Sequence, residues 1–367
     1  MDDSLPLVRW RSGTVTELGR RWAGALELTV RVDGPDGGRH LPALAYPRLV
    51  GEPVVGDRVL VTVGALAHDL GTGGYALVAA VPDRLPPDGP AGPGHLVKAR
   101  YTPLQPVVLG VDEQESAHHG LLRAAESLDA MPVVTADLHS SLPAVLAGVR
   151  SVAPQARVAY LMSDGGALAA WFSRTLAGLR AAGWLVGSVS VGQAFGGDLE
   201  AVTVHSGLLA ARHVLDADIA VVIQGPGNLG TDTPWGFSGV ACGEAVNAAA
   251  TLGGRPVAAL RISQADPRER HRGISHHSLT AYGRVALARA DVVVPALPGD
   301  FGDVVRDQAR ALGVRHRLVD VPLDGLDAAL RTCPVPLSTM GRGLDDDPAA
   351  FLAAAAAGRH AASLLAS

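Results

Sequence analysis

Four stretches of the chain carry residue types that do chemistry, and all share one grammar: an apolar run of strand length that stops at a polar or glycine-rich segment. They are VVTADLHSS (133–141), VAYLMSDGGA (158–167), IAVVIQGPGNLGTDTPWGFSG (219–239) and VAALRISQADPRERHRGISHH (257–277). In the third, a glycine-rich, lysine-free loop leaves backbone N–H groups open to an anion, with Gly225, Gly227, Asn228, Gly230 and Thr231 as candidate contacts. The fourth supplies counter-charge, since Arg268, Arg270 and Arg272 suit bidentate recognition of phosphate or carboxylate. His276 and His277 stand at the next helix start, where an imidazole carries protons or holds a metal. Adjacent histidines on a helix point in different directions, so the two are not expected to share one ion. Asp137 and His139, two residues apart at a strand end, fit an acid–base pair, with His139 or His276 moving the proton. With Asp164 they fit a divalent-metal set instead, an activated water being the nucleophile.

Each feature has a blander reading. Asp137 or Ser140 can cap the helix expected from about Leu142, Ser163 or Asp164 the helix after Gly166, and Asp198 a helix starting there. The GxGxxG spacing of GPGNLG departs from a dinucleotide fingerprint, because TDTPWGF separates it from the helix and the strand is mid-domain. Arg268 to Arg272 can be a solvated basic loop, and His205 a core residue inside its helix. Cys242 lies near a helix start, which activates a thiol, although a buried small hydrophobe is the commoner fate of such a residue. The acidic run at 345–348 reads as a helix start or a solvated turn.

These tips need a scaffold that gathers strand ends. From Val107 onward, apolar runs near 107–111, 133–136, 158–162, 187–191, 219–223, 257–262, 291–295 and 317–321 alternate with helix-length stretches, and Gly183 and Gly253 stand where C-terminal caps belong. Repeated β-α units require right-handed crossovers, so the fold class is α/β, a mostly parallel doubly wound sheet that gathers sites at its carboxyl edge. Ahead of it, residues 1–81 hold about five short alternating runs, from GTVTEL to YALVAAV, that read as a small β-rich, barrel-like domain. The Pro/Gly-dense stretch 82–95 reads as a linker, and 96–367 as the α/β domain with a C-terminal helix.

Composition narrows the function. A formal charge of −5 gives no overall pull toward nucleic acid or acidic membranes. Lys98 is the sole lysine, which excludes a Walker-type loop and leaves one position for a Schiff base. Two distant cysteines, Cys242 and Cys333, fit neither a disulfide framework nor a zinc spacing, and the acidic amino terminus lacks a signal-peptide pattern. The cytoplasm is the expected location. The alanine-rich end from Phe351 is too short to span a bilayer and reads as a helix packed on the body.

The segments SDGGALAAWFSRTLAGLRAAG, AFGGDLEAV, GPGNLGTDTPWGFSG and RISQADPRERHRGISHHSLTAYGRVALARA together resemble an uncharacterised bacterial family known only as a domain of unknown function. The resemblance spans nearly the whole chain and implies one fold without implying an activity. The reading reached is a cytoplasmic α/β enzyme binding a small anionic or phosphorylated ligand, with a hydrolase or transferase in view. The cofactor stays open, a divalent metal being the alternative, and a homo-oligomer is compatible with the pattern. A non-catalytic adaptor whose barrel binds nucleic acid or protein ranks last, because the barrel has few aromatics and no basic stripe.

Overall fold

A computed structural model describes residues 7–33, 38–70, 73–89 and 92–366. Its contacts divide into two units, Met1–Gly92 with Ala99–Pro106, and Pro93–Lys98 with Val107–Ser367. The expected linker at 82–95 overlaps the first crossing, although its residues 90 and 91 lie outside the described ones. Its end is tied down, with the Gly94 amide donating to Glu115 (2.7 Å) and the His95 amide to Glu113 (3.0 Å). The return to the first unit at 99–106 has no compositional sign.

The first unit is a closed barrel. Its strands are β1 (Trp10–Trp22), β2 (Ala25–Val32), β3 (His40–Ala45), β4 (Arg58–Thr62) and β5 (Ala76–Ala80), in the order β1-β2-β3-β5-β4 with β4 returning to β1. Alternation decides which face is inside: Val59 and Val61 are buried while Arg58 is exposed. β3 and β5 run parallel and a short helix, α1 (Pro47–Val50), joins β3 to β4. That is the connectivity of the five-stranded OB barrel.

The second unit is an eight-stranded, all-parallel sheet. In chain order its strands are β6 (Pro132–Thr135), β7 (Val158–Ser163), β8 (Gly187–Ser190), β9 (Leu199–Glu200), β10 (Ile219–Gln224), β11 (Arg255–Ala259), β12 (Asp291–Pro295) and β13 (Arg317–Val321). In space they run β9-β8-β7-β10-β6-β11-β12-β13. Every residue of β6 and β10 is buried, as strands covered on both faces require. Two details differ from the sequence reading. The run at 107–111 supplies a two-residue strand, Val107–Val108, paired with Leu96–Val97 outside the main sheet, and touches that sheet through one parallel bridge from Gly110 to Glu200. The eighth strand is instead β9, where a helix was expected after Asp198; that helix, α4 (Val204–His213), starts later behind a Thr203–Ser206 capping box.

β6 and β10 are neighbours, yet the chain leaves them in opposite directions, toward β7 and toward β11. Their following helices, α2 (Leu142–Arg150) and α5 (Ala241–Thr251), pack into different core clusters. A crevice must open between the carboxyl ends of such a pair. The terminal helix α7 (Pro348–Ser363) crosses α2 closely enough that a Cβ on Gly148 would lie 1.9 Å from Ala355 O, and one on Gly358 1.9 Å from Val145 O. Contrary to the expectation that this end is too short, Pro348–Ala366 is the one described helix long and apolar enough to cross a membrane, but 67% of its 18-residue window of mean hydropathy 1.3 is buried.

Candidate functional site

Asp137 follows β6 at the crevice, and Gln224 ends β10 opposite it; the Gln224 side-chain amide donates to Asp137 O across 2.7 Å. The Asp137 carboxylate is buried. Its Oδ2 lies 3.5 Å from Arg261 Nη1 and 3.5 Å from His277 Nδ1, ion-pair distances outside good hydrogen-bond geometry. Burial works against the charge, but His277 and Arg261 outweigh it and hold the carboxyl below its usual range. Arg261 follows β11, the strand beside β6, so sheet order alone brings these two charges together.

The glycine loop after β10 is stapled rather than free. Asn228 Oδ1 accepts from Ser238 Oγ (2.8 Å) and the Gly239 amide (3.2 Å), and Gly230 pairs with Phe237. The tip between them carries Asp232 at φ +63°, whose carboxylate meets Arg270 Nε at 2.9 Å.

After β11 the chain makes a small hairpin, Ile262–Ser263 against Gly273–Ile274, that throws out 264–272 and brings 275–277 back to the crevice. Gly273 is required there: its φ is +69° and a Cβ would lie 2.3 Å from Gln308 Oε1. Ser275 then caps the short helix α6 (His276–Thr280) through the His277 amide.

The two loops enclose a cavity of about 250 Å³, lined chiefly by Asn228, Gly230, Thr231, Arg261, Arg268 and Arg270 on one hand and three histidines on the other. His271, His276 and His277 each offer one ring nitrogen, all within 4.8 Å of one another. His277 stacks flat on Phe237 at 3.8 Å, and His271 Nδ1 shares a 2.7 Å hydrogen bond with Ser275 Oγ. His276 Nε2 is buried with no hydrogen-bond partner. Burial, reinforced by Arg261 and Arg268, pushes His271 down to about 3. Burial, with His277 and Arg270 nearby, also lowers His276. Both are therefore neutral imidazoles near pH 7, the form that accepts protons or ligates a metal.

The profile of a family described as "Protein of unknown function (DUF3866)" matches residues 42–358. The chain belongs to this family. No curated protein matches it.

Within this DUF3866 chain, the candidate residues separate cleanly. Asn228, Gly230, Thr231, Arg268, Arg270 and His276 line the cavity, and Asp137 reaches it through Arg261 and His277. Gly225 does not; its α-carbon packs on Ala167, whose carbonyl oxygen would lie 2.4 Å from a Cβ, while Gly227, at φ +92°, stands clear of the lining. Arg272 donates to Asp266 O (3.2 Å) and lines a different cavity with Gln264 and Gln308. His139 is a core residue, its nitrogens bonded to Tyr160 Oη (3.0 Å) and Ser173 Oγ (2.7 Å), and burial pushes it down to about 4. Asp164 accepts from the Gln193 amide at 2.8 Å. The set Asp137, His139 and Asp164 therefore does not converge as a metal site; the convergent donors are the three later histidines, two of them the adjacent pair that was not expected to meet.

The capping alternatives fail as well: Ser141 precedes α2 without a side-chain cap, and Asp198 binds Arg180 and Ser188. Cys242 is buried with its thiol pushed up by burial, the opposite of activation. Asp347, in the acidic run, is fully buried and accepts from Ser263, Gln264 and Arg342. Lys98, the one position open to a Schiff base, is buried with Nζ on Ala194 O (3.0 Å) and Ala201 O (2.8 Å). A larger cavity of about 390 Å³ between α4 and α5 touches Asp164, Gln224 and Glu244. Its lining contains no arginine or lysine, so the arginine–histidine cavity is the better chemical candidate.

Proposed function

We propose that this DUF3866 protein is an α/β enzyme that binds a small phosphate- or carboxylate-bearing ligand in the arginine–histidine cavity, with hydrolysis as the reaction class. The observation that carries this reading is the meeting of loops 228–232 and 261–277 around one cavity beside the β6–β10 crevice. Charge shapes how a ligand enters. Arg261 faces Asp137, Arg268 holds Asp266 at 2.8 Å and Arg270 holds Asp232, so the resting cavity is close to neutral. The Arg270–Asp232 pair is the exposed one, and exchanging Asp232 for a ligand oxyanion keeps the guanidinium's hydrogen bonds. Two free cysteines suit the cytoplasmic setting of this reading.

Thermal shift against inorganic phosphate, nucleotides, sugar phosphates and carboxylates tests it. A ligand that binds only the folded state stabilises by about 2.7 kcal/mol at a hundredfold excess over Kd. Arg270→Ala, removing a hydrogen bond to a charged group worth about 1.5–3 kcal/mol, is expected to weaken binding by more than tenfold. Gly230→Val places bulk in the cavity, since the nearest atom to a Cβ there is 4.0 Å away, and is expected to block it. A responding ligand indifferent to both changes, or no response across the panel, refutes the proposal.

A further inference from the structure

The three imidazoles need not work as proton carriers, and their surroundings point to a different use. Outside this cluster, no described trio of histidine, cysteine and carboxylate side chains brings its ligand atoms together this closely. Each ring has a nitrogen left over. His271 Nδ1 is engaged by Ser275, His277 Nδ1 faces Asp137, and His276 Nε2 is buried without a hydrogen-bond partner. A buried polar nitrogen with no partner costs stability unless something occupies its lone pair.

We propose that His271, His276 and His277 hold one divalent transition-metal ion, of the Zn2+ class, leaving a coordination position open toward the cavity arginines. Three imidazole donors with an open fourth position are the set that imidazole-binding metals take in catalytic sites. Tetrahedral ligands at about 2.0–2.1 Å from zinc stand about 3.3 Å apart, so nitrogens within 4.8 Å need side-chain rotation only. The outer partners are in place: Ser275 fixes the His271 ring, and flat stacking on Phe237 fixes the His277 plane. His277 Nδ1 meets both Asp137 and, at 3.2 Å, Arg261 Nη1. Arg261 can only donate, so His277 Nδ1 accepts from it in the metal-free protein; a metal on His277 Nε2 moves the ring proton to Nδ1, which then exchanges Arg261 for the Asp137 carboxylate 3.5 Å away and gives Asp137 its role as a positioning residue. The inference rests on the proposed function only in sharing its cavity. An oxyanion held by Arg270 would sit beside the ion.

Chelator-stripped full-length protein is titrated with Zn2+ by calorimetry and with Co2+ by visible absorption. One equivalent is expected, with the intense bands of four-coordinate cobalt. His276→Gln is expected to abolish uptake with an unchanged circular dichroism spectrum, because that ring is half-buried and its Nε2 makes no hydrogen bond. Asp137→Asn is expected to weaken uptake by about 10- to 100-fold, and Arg270→Ala, which removes a positive charge beside His276, not to weaken it. No stoichiometric uptake by the wild type, or full uptake by His276→Gln, overturns the inference. Inorganic phosphate is tested by thermal shift on the metal-free protein: a shift that Arg270→Ala removes, without metal uptake, leaves a metal-free anion site and sinks this inference alone. Metal uptake without any phosphate response supports the inference and sinks the anion reading.

Discussion

Replacing His139 by Gln separates a proton-transfer role from a core role, because the two make opposite predictions about pH. The ring sits beside the start of the helix α3 (Arg174–Ala181), where Ser173 accepts from the Leu176 amide (2.9 Å) and keeps its own hydroxyl proton to donate to His139 Nε2. The Tyr160 hydroxyl lies 3.2 Å from Ile223 O, so donation there leaves its oxygen to accept Nδ1–H. Every hydrogen-bonding group is then satisfied with one ring proton. Burial accordingly lowers the folded value to about 4, against about 6.5 in an unfolded chain. The unfolded chain thus binds more protons between these values, so stability is fully present above pH 6.5 and lost as pH falls toward 4. At pH 5 the loss through this one group is about 2 kcal/mol, of about 3 kcal/mol in all. Urea unfolding of the wild type and His139→Gln at pH 7.5 and pH 5 reads it directly. The wild-type advantage is expected to shrink by about 2 kcal/mol between them. Parallel profiles, or a His139 ring carbon that titrates near pH 6.5 by NMR, refute the core assignment.

Two other buried features carry tests. Asp266 is fully buried against Arg268 and Arg342, and Arg268 chiefly holds its carboxyl well below the ordinary range. Asp266→Asn is expected to cost about 2–4 kcal/mol at pH 7, at the low end because Arg268 is a third exposed. The deficit is expected to persist at pH 4 and to close only in stronger acid as the wild-type carboxyl protonates; calorimetric melting across that range checks it. Gly358→Ala raises helix propensity by about 1 kcal/mol, yet its Cβ would lie 1.9 Å from Val145 O. Overpacking of about 1–3 kcal/mol or more should win, so the melting temperature is expected to fall, and a rise refutes the close crossing.

What the sequence made legible follows the range of the forces involved. β6, β7, β10 and β12 announce themselves because a strand buried on both faces must be apolar throughout, and the parallel sheet follows from their alternation with helices. β9, at two residues, is too short to leave a periodic trace, and Asp198 just before it imitates a helix cap. DLHSS shows a different limit. Asp137 and His139 share a face only if the strand continues, but the chain turns into a 3₁₀ segment at His139 and sends one side chain to the crevice and the other to Tyr160. The histidine cluster depends on longer-range facts still. His271 and His277 converge because Gly273 lets a hairpin close against Gln308 and because Phe237, forty residues earlier in the chain, presents a flat surface to His277. Neither partner is written in HRGISHH, which at sequence level says only that imidazoles are near a helix start. The dense polar loop was a sound place to look for chemistry, since such a run is costly to bury unless its groups are paired. Which of its residues face the cavity is decided by Asp266, which lies within the same loop and takes Arg268 and Arg272 as its own partners, leaving Arg270 as the guanidinium whose carboxylate a ligand can replace.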